Sequence, residues 1–219
     1  MKKFKESKNL KNILVISLGD PSGIGTEITL KALGSKCLNE NIQPLLVGCK
    51  KNIYATFSKL TDHGIKNIPN PKNIDIIDIP IKKEILPGIV GKDSGSASFK
   101  WLSKAINLVL EGKGNALVTA PISKIAWHKA GHKFAGQTEL LGKLTNRKTS
   151  MLFTAISPNN GWRFNTLLAT THIPLKKINN HLTKELIRYK LDALLSFCRQ
   201  FKEKPCIQIA GLNPHAGEE

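Results

Sequence analysis

The sequence predicts an α/β protein: a mostly parallel sheet with helices on both faces. Two observations carry that reading. Short β-branched runs alternate with longer amphipathic ones along the whole chain, and the strand-like runs end in polar, turn-rich segments. Alternation of this kind is the pattern of strand–helix–strand units, whose crossover helices cover a parallel sheet.

The elements follow in order. NILVISL (12–18) reads as a buried strand, followed by the turn GDPSGIG and a helix from about Thr26 to Leu33. QPLLVG (43–48) is a second strand and Lys50 to about Leu60 a helix; IDIIDI (74–79) is a third strand, leading into a loop through Pro87, Gly88 and Gly91. In SASFKWLSKAINLVLEG (96–112), Phe99, Leu102, Ile106, Val109 and Leu110 recur at helical spacing. NALVTA (115–120) is a strand stopped by Pro121, TELLGKL a helix, SMLFTAI and TLLATT extended segments, Lys184 to Phe201 a long helix, and CIQIAGL (206–212) a closing strand. No internal repeat or low-complexity linker interrupts the series, so residues 1–219 read as one α/β catalytic domain. The Pro/Gly stretch near 87–95 is the candidate subdomain boundary.

Composition narrows the function. Apolar residues at 41% and charged residues at 22% are ordinary for a soluble globular chain, and no run of eighteen apolar residues exists to span a bilayer. The basic N-terminus leads into an apolar stretch of only ILVISL, too short for a secretory signal, so a cytoplasmic protein is expected. Cys37, Cys49, Cys198 and Cys206 lack close pairing and are expected to be reduced, buried thiols. The net charge of +17 raises the question of a nucleic-acid partner. The excess is thinly spread Lys, with Arg only at 147, 163, 188 and 199 and no interleaved aromatics, which weighs against one. Attraction of small anionic substrates is the milder consequence.

The strand ends hold the candidate site. NILVISL leads into Gly19-Asp20-Pro21-Ser22-Gly23, NALVTA into Pro121-Ile122-Ser123-Lys124, TLLATT into His172, and CIQIAGL into Asn213-Pro214-His215. In an open α/β sheet the ligand crevice lies outside the carboxyl ends of the strands, so these four segments are expected to converge. The amides of GDPSGIG can cradle an anion at a helix start, or the segment is an ordinary tight turn. His172 and His215 can ligate a divalent metal, or merely cap backbone groups. Thr138 can cap the helix that follows it, or offer its hydroxyl to a phosphate. His63, His128, His132 and His181 are expected to be solvated, and no HExxH or GxSxG motif points to a zinc protease or an α/β-hydrolase.

At these same loops the chain resembles the 4-hydroxythreonine-4-phosphate dehydrogenase family, through GDPSGIGTE (19–27), VTAPISK (118–124), FAGQTELL (134–141), LLATTHIPL (167–175) and IAGLNPHAGE (209–218), in the family's order. The resemblance implies a fold like isocitrate and isopropylmalate dehydrogenases, with two subdomains around a cleft, and a homodimer with its active site at the subunit interface. It implies NAD- or NADP-dependent oxidation of 4-phosphooxy-threonine, a small phosphorylated amino acid. The β-keto acid formed then loses CO2 to give 3-amino-2-oxopropyl phosphate for pyridoxine 5′-phosphate synthesis. A divalent metal (Zn, Mg or Co) is implied at His172 and His215, which match two of three family histidines; such an ion acidifies the substrate hydroxyl and holds enolate charge. Gln137 and Thr138 match a substrate-contacting His-Thr pair. The resemblance assigns no catalytic base and no nucleotide-binding residue here.

Two departures stand out. Gln137 replaces the family histidine, and an amide can donate a hydrogen bond but cannot titrate. The family also continues by about a third beyond Glu219, with its third metal histidine there, so the 219-residue polypeptide alone is expected to have little activity. Two other readings accompany this one: a related dehydrogenase acting on another phosphorylated hydroxy acid, and a non-catalytic basic protein binding anions or nucleic acid.

Overall fold

The structure is a computed structural model and describes residues 12–35, 39, 41–201 and 204–215. The chain divides into two compact units, Met1–Arg147 and Lys148–Glu219.

The first unit holds four parallel strands, β1 (Asn12–Ser17), β2 (Ile42–Gly48), β3 (Asp75–Asp78) and β4 (Ala116–Thr119), in the order β3-β2-β1-β4. Side chains alternate between the faces of a strand. Val15, Ile16 and Ser17 are buried in succession, so both faces of the sheet are covered at the end of β1. Five helices belong to this unit: α1 (Gly25–Leu33), α2 (Lys50–Asp62), α3 (Lys92–Leu110), α4 (Lys124–Lys129) and α5 (Gln137–Thr145).

Helix α3 joins two apolar cores. Trp101, Ala105 and Leu108 pack with Val15, Leu46 and Ile53, while Leu102 and Ile106 pack with Trp127 and Leu140. The two sets lie on adjacent stripes of one helix because residues four apart share a face. Burying two indoles requires partners for their N–H groups. Trp101 Nε1 donates to the Ile79 carbonyl at 3.1 Å and Trp127 Nε1 to Ser98 Oγ at 2.8 Å. The helix starts four residues before the predicted Ser96, since the Ser94 hydroxyl closes its first turn on Gly91. Gly95 lets α4 approach: a Cβ there would stand 1.9 Å from the Ala126 carbonyl oxygen. A glycine inside the first turn masks the helix signal in the sequence. The Pro/Gly stretch at 87–95 lies within this unit, with Gly88 N donating to Ser22 O at 2.7 Å.

The second unit departs from the predicted single sheet. β5 (Leu152–Ile156) and β6 (Arg163–Leu167) form an antiparallel hairpin of their own, closed by Ser157 N donating to Trp162 O at 2.8 Å. TLLATT is therefore only partly a strand: β6 ends at Leu167, and pairing runs one bond further, Leu168 N to Met151 O. CIQIAGL forms no strand among the described residues, and Ile209 and Leu212 are 65% and 62% exposed. A run of apolar β-branched residues becomes a strand only where a neighbour supplies the ladder, which the run itself cannot reveal. A short helix α6 (Ile178–His181) precedes α7 (Lys184–Cys198), whose start is capped by Thr183 Oγ1 accepting from Leu186 N at 3.1 Å. No described residue of this unit is fully buried.

The cysteines correct another expectation. Cys49, Cys198 and Cys206 are free thiols, but only Cys49 is buried and Cys206 is exposed; Cys37 lies outside the described residues.

Candidate substrate site at the strand exits

Three of the loops singled out in the sequence meet in the first unit. β1 and β4 are neighbours, with Ser17 opposite Thr119, so the chain leaves both strands side by side. Gly19 turns there with φ 72°, and a Cβ on it would lie 2.2 Å from the Pro121 carbonyl oxygen. Only glycine combines that left-handed backbone with so close an approach. Asp20 N then donates to Pro121 O at 2.9 Å, and Gln137 Nε2, at the start of α5, donates to the adjoining Ala120 O at 3.1 Å. GDPSG, APISK and GQTE, separated by up to 118 residues (137 − 19), are thus fastened to the single Ala120–Pro121 segment.

The first loop folds on its own aspartate: Ser22 N donates to Asp20 Oδ1 at 2.9 Å and Gly23 N to Asp20 O at 3.0 Å. Ser22 Oγ also donates to Asp20 Oδ1, at 2.8 Å. Asp20, 5% exposed, thus sets a carboxylate inside the turn. The sequence carries a local signal for this turn, since Asp two residues before Ser commonly binds the later amide with its carboxylate.

α5 starts differently. Its N-cap is Gly136, so Thr138 does not cap the helix; it is the second helical residue, is exposed, and its hydroxyl has no hydrogen bond among the described residues. Lys124 and Glu139 flank Gly136: a Cβ at Gly136 would lie 3.5 Å from Lys124 Cε and 3.4 Å from Glu139 Oε2. An uncapped helix start, a free hydroxyl and a nearby ammonium form a patch suited to a phosphate.

His172 and His215 belong to the second unit, which they do not reach through the parallel sheet. His172 follows the hairpin strand β6, is exposed, and has φ 57°. The other described non-glycine residue with positive φ, Asn146, is the left-handed C-cap of α5, an ordinary place for it. His215 is exposed, and its N–H donates to Asn213 Oδ1 at 2.9 Å. No group of three His, Cys, Asp or Glu able to hold a metal forms among the described residues. The two imidazoles are donors of the right type, but the described residues do not make a complete metal site with them.

The remaining histidines correct a further expectation in part. His132 is half-buried and stacks on Phe99, ring centroids 3.6 Å apart and 5° from parallel. Burial, and secondarily the charge of Lys100, lowers its pKa. His63, His128 and His181 are exposed, each with a ring nitrogen against a backbone carbonyl.

The family model for "Pyridoxal phosphate biosynthetic protein PdxA" matches residues 35–219. A 4-hydroxythreonine-4-phosphate dehydrogenase from Synechococcus sp. (strain RCC307) is 48% identical over 206 residues, covering 94% of this chain and 62% of that protein. A D-threonate 4-phosphate dehydrogenase from Pectobacterium atrosepticum is 32% identical, covering 95% of this chain and 66% of its own length. Among solved structures, a 4-hydroxythreonine-4-phosphate dehydrogenase from Klebsiella pneumoniae superposes with a TM-score of 0.78 at 29% identity, covering 96% of this chain and 66% of that one. The chain thus spans somewhat less than two thirds of the Synechococcus relative, and the shared fold is that of these dehydrogenases. Matched by the family model across 35–219, the chain belongs to the PdxA family of pyridoxal phosphate biosynthetic proteins.

Proposed function

We propose that this chain carries the substrate-binding crevice of a 4-hydroxythreonine-4-phosphate dehydrogenase. Such an enzyme oxidises 4-phosphooxy-L-threonine with NAD or NADP, and the β-keto acid decarboxylates to 3-amino-2-oxopropyl phosphate. The observation that carries the reading is the fastening of Asp20 and Gln137 to one backbone segment between β4 and α4. That arrangement gathers three motif loops at the carboxyl edge of a parallel sheet, where such folds bind ligands.

In this reading the substrate phosphate lies at the start of α5, against its free amides, the Thr138 hydroxyl and Lys124. Gln137 orients the substrate rather than exchanging protons with it, because an amide does not titrate. The nicotinamide, when bound, accepts the hydride, and the protein's part is to position the reacting carbon. His172 and His215 are proposed metal donors; their support is residue type, exposure and the left-handed backbone at His172, a costly conformation that persists where a site demands it. No step is derived through the ion, since the described residues supply no third donor beside them. A homodimer in the cytoplasm completes the proposal; no described helix is long and apolar enough to cross a membrane.

One observation favours a second reading, a dehydrogenase acting on another phosphorylated hydroxy acid: the D-threonate 4-phosphate dehydrogenase among the relatives. Calorimetric titration of the 219-residue chain with 4-phosphooxy-L-threonine tests the leading one. Binding should saturate, and Thr138→Ala should weaken it at least about tenfold, about 1.4 kcal/mol. Equal binding by Thr138→Ala, or displacement by inorganic phosphate at the same concentration, would contradict the assignment.

A further inference from the structure

The mechanism sketched above leaves one buried charge unused. Asp20 is 5% exposed, and both hydrogen bonds it receives fall on Oδ1, from Ser22 N and Ser22 Oγ. Oδ2 has no hydrogen bond among the described residues, and the ion pairs described there, Lys31–Glu27 and Lys113–Glu111, both lie elsewhere. Oδ2 is not among the buried atoms that lack a partner, so solvent reaches it, and this uncommitted oxygen of an otherwise enclosed carboxylate is open to a ligand donor.

The neighbouring groups point the same way. Gln137 Nε2 is committed to the Ala120 carbonyl, which fixes which end of the amide is nitrogen, since a carbonyl can only accept. The amide oxygen Oε1 is then held as a second acceptor on the same backbone segment that binds Asp20. The basic group nearest α5's start, Lys124, makes no ion pair with Asp20. Two fixed acceptors, one of them charged, match a ligand group that donates hydrogen bonds and carries positive charge.

We infer that Asp20 recognises the substrate ammonium and is the residue that favours a 2-amino over a 2-hydroxy phosphorylated acid. The inference rests on the proposed substrate class and sharpens it. 4-Phosphooxy-L-threonine carries an ammonium at C2, where D-threonate 4-phosphate carries a hydroxyl. Charge-assisted hydrogen bonds are roughly twice as strong as neutral ones, so the carboxylate gains more from the first ligand. Asn at position 20 keeps an acceptor oxygen for the Ser22 bonds but removes the charge.

The test is calorimetric titration of the 219-residue chain, of Asp20→Asn and of Asp20→Glu with each of the two ligands. The native chain should prefer 4-phosphooxy-L-threonine at least about tenfold; Asp20→Asn should cut the preference to about twofold while leaving D-threonate 4-phosphate affinity within about twofold; Asp20→Glu should restore part of it. If Asp20 only shapes the turn, Asp20→Asn will lower the melting temperature and keep the preference, which overturns the inference. So does a native chain that binds both ligands equally, and so does an Asp20→Glu variant with no more preference than Asp20→Asn. A native chain that binds neither ligand overturns the substrate class itself, and this inference with it.

Discussion

At the scale of single residues, the candidate crevice depends on positions whose neighbours leave them little choice. Gly19 turns the chain out of β1 with φ 72° and with the Pro121 carbonyl where a side chain would begin. Gly19→Ala adds a left-handed backbone penalty of about 1–2 kcal/mol to a clash with main chain, which has no flexible end to move aside. Urea unfolding should show a loss of at least about 2 kcal/mol, whereas Gly131→Ala, also at positive φ but in open space, should lose only the conformational part. His132 makes a pH prediction. Its folded pKa is lowered by burial and by Lys100, so folding favours the neutral ring. The unfolded chain takes up its proton first as pH falls below about 6.5, and stability is lost from there down through the lowered folded value. Melting curves at pH 7.5 and 5.5 should show a smaller acid loss for His132→Phe, which keeps the stack on Phe99; an equal loss would remove His132 from the account. Gln137 was legible as a candidate site residue from its motif, but its bond to Ala120 was not, because nothing in the sequence places the exit of β4 beside the start of α5.

At the scale of elements, helix α3 ties the sheet to the α4–α5 corner, and its importance can be measured. Trp127 is fully buried, with its indole N–H on Ser98 Oγ at 2.8 Å. Trp127→Phe removes that donor and leaves a gap beside Leu102 and Leu140, so chemical denaturation should show a loss of about 2–4 kcal/mol. Exchange of the exposed Asn107 for Gln in the same helix should change stability by less than about 0.5 kcal/mol. The four parallel strands and α3 were legible because NILVISL, QPLLVG, IDIIDI and NALVTA are apolar runs at intervals that fit crossover helices. What the runs could not disclose was partnership. The start of TLLATT pairs backwards across a six-residue turn, Thr166 onto Phe153 and Leu167 onto Leu152, and 206–212 finds no ladder among the described residues. Strand propensity describes a surface that wants a neighbour, not which neighbour arrives.

At the scale of the molecule, the two units differ in how much they bury. The first contains every fully buried side chain described, from Val15 to Leu140, whereas the second exposes Phe153, Ile156, Trp162 and Phe164 along its hairpin. Local stability follows buried apolar contact. Amide hydrogen exchange should be slowest in β1, β2 and α3 and faster by orders of magnitude in β5 and β6; uniform protection across both would contradict that picture. The charge of +17 fits an anionic small ligand; the first loop holds the Asp20 carboxylate, and α5's start is the proposed phosphate position. The histidine pair was legible as residue type and motif; its joint geometry was not, because the strands assumed to carry it are a separate hairpin and an unpaired segment. The most direct measurement is calorimetric titration of the 219-residue chain and of Lys124→Ala with 4-phosphooxy-L-threonine. Saturable binding by the native chain, weakened at least about tenfold by the substitution, is the expected result. Equal binding by both, or none by the native chain, would contradict the placement of the substrate at the start of α5.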